Sequence, residues 1–239
     1  MMGKIAAVSG LLFFLTGPAF AQAAPDSPAD LSSKVTLGLY EESSQTAIDL
    51  NFRHQTGPLT SWIGAFLDPD RHVRGRIGGQ YGWQRRGILI QPSVEAGTTG
   101  FLMETLYSEI GEDAFAIAGY SRTNLKLQND ITFDPNDSAQ VGFGWKRGAD
   151  RLVAYSIFDI RLHTKQQDTH LVWKHRLDPR SAVTIDAIYK SGVTDSGRSI
   201  RAVGGGLYYD RGWIGKLYYD PFANFGDQTQ WRLSVGRKF

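Results

Sequence analysis

The chain has 239 residues, with 26 Lys and Arg against 24 Asp and Glu and a formal net charge of +2, a balance that argues against a simple nucleic-acid binder. It contains no cysteine, so no disulfide framework supports it. Twenty-seven glycines, six Trp, ten Tyr and thirteen Phe beside only nine prolines suit many strands joined by tight turns.

Residues 1–21 have the plan of a secretory signal peptide. Lys4 supplies a positive n-region, Ile5 to Leu15 a short apolar stretch, and Ala19-Phe20-Ala21 a small-x-small cleavage site after Gly17 and Pro18. Cleavage is expected before Gln22, with Ala21-Gln22-Ala23 as an overlapping second choice. The rival reading, a retained anchor, needs a longer apolar run than this one. Residues 22–33, rich in Ala, Asp, Pro and Ser, read as a loose lead-in. A single all-β domain is expected over 34–239.

From residue 34 onward the dominant signal is period 2, the side-chain alternation of a strand. Val35, Leu37 and Leu39 alternate with Lys34, Thr36, Gly38 and Tyr40, and Ile48, Leu50 and Phe52 with Asp49, Asn51 and Arg53. Val73, Ile77, Tyr81 and Trp83 are interleaved with His72, Arg74, Arg76 and Gln80. Asp68-Pro69-Asp70 reads as a turn before them. The stretch from Tyr107 to Ser138 is the least regular, with Leu125 to Phe133 readable as a strand or as part of a long loop. Beyond it, Val141, Phe143 and Trp145 alternate with Gln140, Gly142, Gly144 and Lys146. Leu171 and Trp173 alternate with His170, Lys174 and Arg176, and Val183, Ile185 and Tyr189 with Thr184, Asp186 and Lys190. Arg147-Gly148-Ala149-Asp150, Asp178-Pro179-Arg180 and Asp210-Arg211-Gly212 are turn sequences between such segments.

The chain ends on a strand whose apolar face, Trp231, Leu233, Val235 and Phe239, closes with an aromatic residue. That ending resembles the C-terminal signature of bacterial outer-membrane β-barrels, which implies recognition by the barrel assembly machinery. Arg237 departs from the signature, where an apolar residue is usual, and is expected to snorkel to the headgroups. A soluble sandwich or lipocalin-like barrel also alternates. Here, however, the apolar faces carry aromatics near strand ends (Tyr81, Trp83, Trp145, Trp173, Tyr209 and Trp213), as an interfacial girdle requires. The expected fold is a transmembrane antiparallel up-and-down β-barrel in contact with outer-membrane lipid and lipopolysaccharide. Both chain ends of such a barrel face the periplasm, so the strand number is even. Twelve strands are expected, within a range of ten to fourteen and with fourteen the nearest alternative.

If the apolar faces meet lipid, the alternate faces line the lumen. They carry the bases Arg53, Arg74, Arg76, Lys146, Arg161, Lys174, Arg176, Lys190, Lys216 and Arg232, against the acids Asp49, Glu95, Asp159, Asp186 and Asp220. This two-to-one excess of cations predicts a narrow channel for small anionic solutes. The competing expectation is a lumen closed by mutual ion pairs, as in an accessory barrel serving envelope biogenesis or exopolysaccharide export. The barrel pattern, the basic lumen and the ending Trp231-Arg232-Leu233-Ser234-Val235-Gly236 are similar to the small monomeric porins of the oligogalacturonate-specific type. That resemblance implies a 12-stranded channel passing acidic sugars.

A lipid-modifying enzyme is the third reading. It is weakened because His163 is followed by Thr164-Lys165 and His54 by Gln55-Thr56, neither giving a His-x-Ser pair. Among His54, His72, His163, His170 and His175, His170 is the one to test. No cofactor, catalytic group or metal site is expected. Asp134-Pro135-Asn136-Asp137 reads as a turn rather than a calcium loop, and Gly204-Gly205-Gly206 as a place for a bend or for close strand packing.

Overall fold

The computed structural model describes residues 32–42, 45–68, 70, 72–124, 137–161, 164–194 and 196–239. The signal-peptide segment, most of the lead-in, Leu125 to Phe133 and His163 therefore lie outside the described residues.

The alternating segments become fifteen strands: β1 (Ser33–Glu42), β2 (Gln45–Thr56), β3 (Leu59–Leu67), β4 (Val73–Tyr81), β5 (Trp83–Arg85), β6 (Ile88–Gly97), β7 (Leu102–Gly111), β8 (Ala114–Thr123), β9 (Ser138–Arg147), β10 (Asp150–Asp159), β11 (Gln167–Asp178), β12 (Ser181–Val193), β13 (Ser199–Arg211), β14 (Trp213–Asp220) and β15 (Gln230–Lys238). Each pairs antiparallel with its chain neighbour, and β1 pairs with β15, so the sheet closes on itself. β4 and β5 are two pieces of one barrel strand, because both pair with β6 in the same register. Tyr81 and Gly82 interrupt the ladder opposite Pro92 and Gln91, and Pro92 has no N–H to offer. The wall thus has fourteen strands, not the twelve expected. The stretch from Leu102 to Thr123, part of it irregular in sequence, supplies two regular strands, β7 and β8.

Closure satisfies the backbone of every strand without help from water, which is what a bilayer demands. The side chains are sorted by the pleat. Leu37, Ile63, Ile77, Leu106, Phe143, Leu171, Val203 and Leu233 all stand exposed on the outer face. A water-soluble sandwich would bury them, so this barrel is turned apolar side out. Trp83, Trp145 and Trp213 ring one end of the outer face and Tyr120, Tyr189 and Trp231 the other, all exposed.

The two ends differ. At the end holding both chain termini, hereafter the turn side, neighbouring strands are joined by one or two residues. Gly148 and Gly212 there take φ of 60° and 71°, a conformation glycine reaches without a Cβ clash. At the opposite loop side, connectors run over 68–72, 98–101, 124–137, 160–166, 194–198 and 221–229. The last of these folds inward. Its 3-10 turn Ala223–Phe225 buries Phe225 against Ile200, and Phe222, Asn224 and Phe225 all have positive φ.

Candidate functional site

The candidate site is the lumen, built from alternate residues of every strand. On the loop side the cations of the wall meet carboxylates, whereas Asp168 and Glu42 have no ion-pair partner among the described residues. The Arg76 guanidinium donates to both oxygens of Asp49 at 2.8 Å, and Arg74 reaches Asp68 at 3.2 Å. Asp220 lies between Lys190 and Arg232 and pairs with both. These three side chains are nearly sealed, at 3, 2 and 7% exposure respectively. Gln230 accepts from Arg232 and donates to Glu42 at 2.9 Å, while Lys190 also reaches the backbone oxygen of Phe222, tying the inward loop to the wall. Arg232 is flanked by the rings of Tyr40 and Tyr218 at 5.9 and 5.5 Å.

Nearer the middle, the Trp62 indole donates to Glu95 at 2.7 Å and lies against Gly78, where any Cβ would collide with it. Asp186 receives His170 Nδ1 at 3.1 Å and the Tyr218 hydroxyl at 2.9 Å, with Tyr155 stacked on the imidazole. Phe115, Ile117, Val153, Tyr155, Ile157 and Val172 form an apolar cluster inside the barrel, facing the lumen rather than lipid.

Toward the turn side the pattern changes. Glu109 gathers Arg151, Lys146 at 3.2 Å and the Tyr107 hydroxyl at 2.8 Å, and Asp210 takes Lys238 at 2.6 Å. Among the described residues, however, Lys34, Arg53, Lys174 and Lys216 meet no carboxylate within ion-pair distance, and all four are only partly buried. Arg53 instead lies over the Trp62 ring at 4.9 Å.

Most of the expected lining is therefore found on inward faces: Arg53, Arg74, Arg76, Lys146, Lys174, Arg176, Lys190, Lys216 and Arg232, with Asp49, Glu95, Asp186 and Asp220. Asp159 is also at an inward position, the last of β10, and Arg161 is the exception. Strand β10 ends at Asp159, whose carboxylate accepts from the backbone N–H groups of Arg161 and Thr164, and Arg161 itself reaches Asp137 and the Thr123 carbonyl. Arg161 thus holds a loop-side connector instead of lining the wall, and Asp159 ties the end of the wall to that connector. The two-to-one excess of cations also needs correction. Lys34, Arg151 and Lys238 join the bases, but Glu42, Glu109, Asp168 and Asp210, with Asp68 just beyond β3, join the acids and leave only a small excess of cations. What distinguishes the lumen is where its unmatched cations stand, not their total.

Trp231, Leu233, Val235 and Phe239 occupy the outer face of the closing strand, with the Phe239 ring stacked on Phe52. His170 has a carboxylate partner, but its neighbours on the adjoining strands are Tyr155 and Ile188, so no serine stands opposite it. Asp137 accepts the Thr123 N–H at 3.0 Å, the role of a turn side chain. Among the described residues no group of three or more His, Asp or Glu side chains is arranged to hold a metal.

No protein-family model matches the chain, and no curated protein does. Solved structures do. The outer membrane protein Omp33 of Acinetobacter baumannii superposes with a TM-score of 0.54 at 8% identity, over 88% of this chain and 99% of that one. KdgM porin aligns at 0.49 with 9% identity, over 86 and 99%, and NanC porin at 0.47 with 10%, over 87 and 100%. At such identities the Omp33 superposition speaks to architecture alone. The chain has the fold of an outer-membrane β-barrel.

Proposed function

We propose that this chain is an outer-membrane channel for small anionic solutes, exported by its signal peptide and inserted by the barrel assembly machinery among lipid and lipopolysaccharide. The short-turn end, with both termini, then faces the periplasm and the loop side the exterior. Fourteen strands enclose more room than the side chains of an eight-stranded barrel would fill. One observation carries the reading: among the described residues, Lys34, Arg53, Lys174 and Lys216 stand on the inner face with no carboxylate within ion-pair distance. Fixed, unneutralised cations in a low-dielectric tube concentrate anions and repel cations.

The second reading, a closed accessory barrel, draws support from the sealed Asp220–Lys190–Arg232 group and from Phe225 seated on Ile200. Single-channel recording of the refolded mature chain in planar bilayers separates the two. Discrete anion-preferring openings are expected; a folded barrel that never conducts would leave the closed form standing.

A further inference from the structure

Three cations stand side by side at the turn-side mouth. Lys34 on β1 is the direct cross-strand partner of Lys238 on β15 and of Arg53 on β2, and all three point inward. Like charges placed opposite one another across a ladder destabilise a sheet. Lys216 on the next strand is close enough to add to the repulsion at Lys34. Among the described residues Lys238 alone of the three meets a carboxylate within ion-pair distance, that of Asp210. The Arg53 Nε is buried and makes no hydrogen bond to any described residue. Between the three side chains lies a cavity of ≈ 20 Å³, completed by Ser32, Ser33, Gln55 and Thr60. It has room for one group the size of a water molecule, such as a single anionic oxygen. A like-charged trio around a small polar hollow is an arrangement whose repulsion a bound anion would relieve.

We propose that Lys34, Arg53 and Lys238 form a binding site for a multivalent oxyanion, carboxylate or phosphate, that is reached more readily from the turn side than from the loop side. One oxygen enters the hollow against Arg53 and the hydroxyl and amide groups, while the remaining charge lies along Lys34, Lys238 and Lys216. Access favours the turn side because the loop-side half is narrowed by the sealed Asp220–Lys190–Arg232 group and by the inward loop at Phe225. The inference deepens the channel reading and rests on it for the direction of approach; the binding itself requires no conduction.

Calorimetric titration of the refolded chain in micelles at low salt, with inorganic tripolyphosphate in one arm and citrate in the other, tests the site. Saturable binding is expected, and the stronger arm identifies phosphate or carboxylate chemistry. Lys34→Gln combined with Arg53→Gln is expected to weaken it by about tenfold or more, since each removes a charge-assisted contact. Arg86→Gln, on an exposed turn, leaves it unchanged. If the double variant does not fold, Lys34→Gln alone is measured, with a smaller loss expected. Absence of saturable binding in both arms, or binding indifferent to these variants, overturns the site. In oriented bilayers tripolyphosphate is expected to block from the turn side at about a tenth of the concentration needed from the loop side. Equal block from both sides overturns the one-sidedness alone. A chain that binds without ever conducting sinks the channel reading and leaves the site.

Discussion

The two halves of the lumen are made by the same strands with the same alternation, yet they treat charge differently. On the loop side Arg74, Arg76, Lys190 and Arg232 each meet a carboxylate, and the Asp220 group is almost sealed from solvent. On the turn side and at mid-barrel, Arg151, Lys146 and Lys238 are also matched, but among the described residues Lys34, Arg53, Lys174 and Lys216 meet no carboxylate and remain partly exposed. Burial explains the contrast. An unpaired ion in a dry interior costs several kcal/mol, about the value of a whole domain's stability margin, so only a wet region tolerates one. On the channel reading, the unmatched cations therefore stand where water, and with it a solute, reaches them.

The largest effect should come from breaking the dry half. Asp220→Asn strands Lys190 and Arg232 together and is expected to cost about 3–5 kcal/mol, read as a lower urea midpoint in micelles. A loss below about 1 kcal/mol would mean that water already serves that group. Phe225→Ala empties the seat of the inward loop. It should cost about 3 kcal/mol and raise single-channel conductance, whereas unchanged conductance would show that the loop does not narrow the path. Gly78→Ala drives the indole of Trp62 off its resting place and away from Glu95, at about 1–3 kcal/mol, with a change in Trp fluorescence as the direct readout. The smallest shift in stability is expected in the wet half. Lys34→Gln relieves repulsion, so the folded barrel should hold or gain about 0.2–1 kcal/mol while anion preference falls. A clear loss of stability there would assign Lys34 a packing role instead.

Much of this was legible in the sequence because a lipid-facing barrel imposes strict period 2. Val35 to Leu39, Val141 to Trp145 and the closing strand Trp231 to Phe239 alternate cleanly, and each is a strand with its apolar set outside. The misreadings have physical causes. In β10 the inward positions Val153, Tyr155 and Ile157 are apolar, since they build the internal cluster, and this hid Arg151. Glu109 sits in the stretch where β7 mixes Glu104 and Ser108 into its outer face. Lys34 and Lys238 belonged to alternations already visible and could have been found from parity alone. The strand number was harder, because Pro92 opens a gap in a ladder whose register is unbroken. Which cation meets which carboxylate depends on register across strands far apart in sequence, and no local pattern encodes it.

The most direct test is the reversal potential of the refolded channel under a salt gradient, for the wild type and for Lys34→Gln with Arg53→Gln and Lys216→Gln. The account predicts anion selectivity in the wild type and its loss in the triple variant, with the fold intact by heat-modified gel mobility. Selectivity for cations in the wild type, or anion selectivity undiminished in the triple variant, would contradict it.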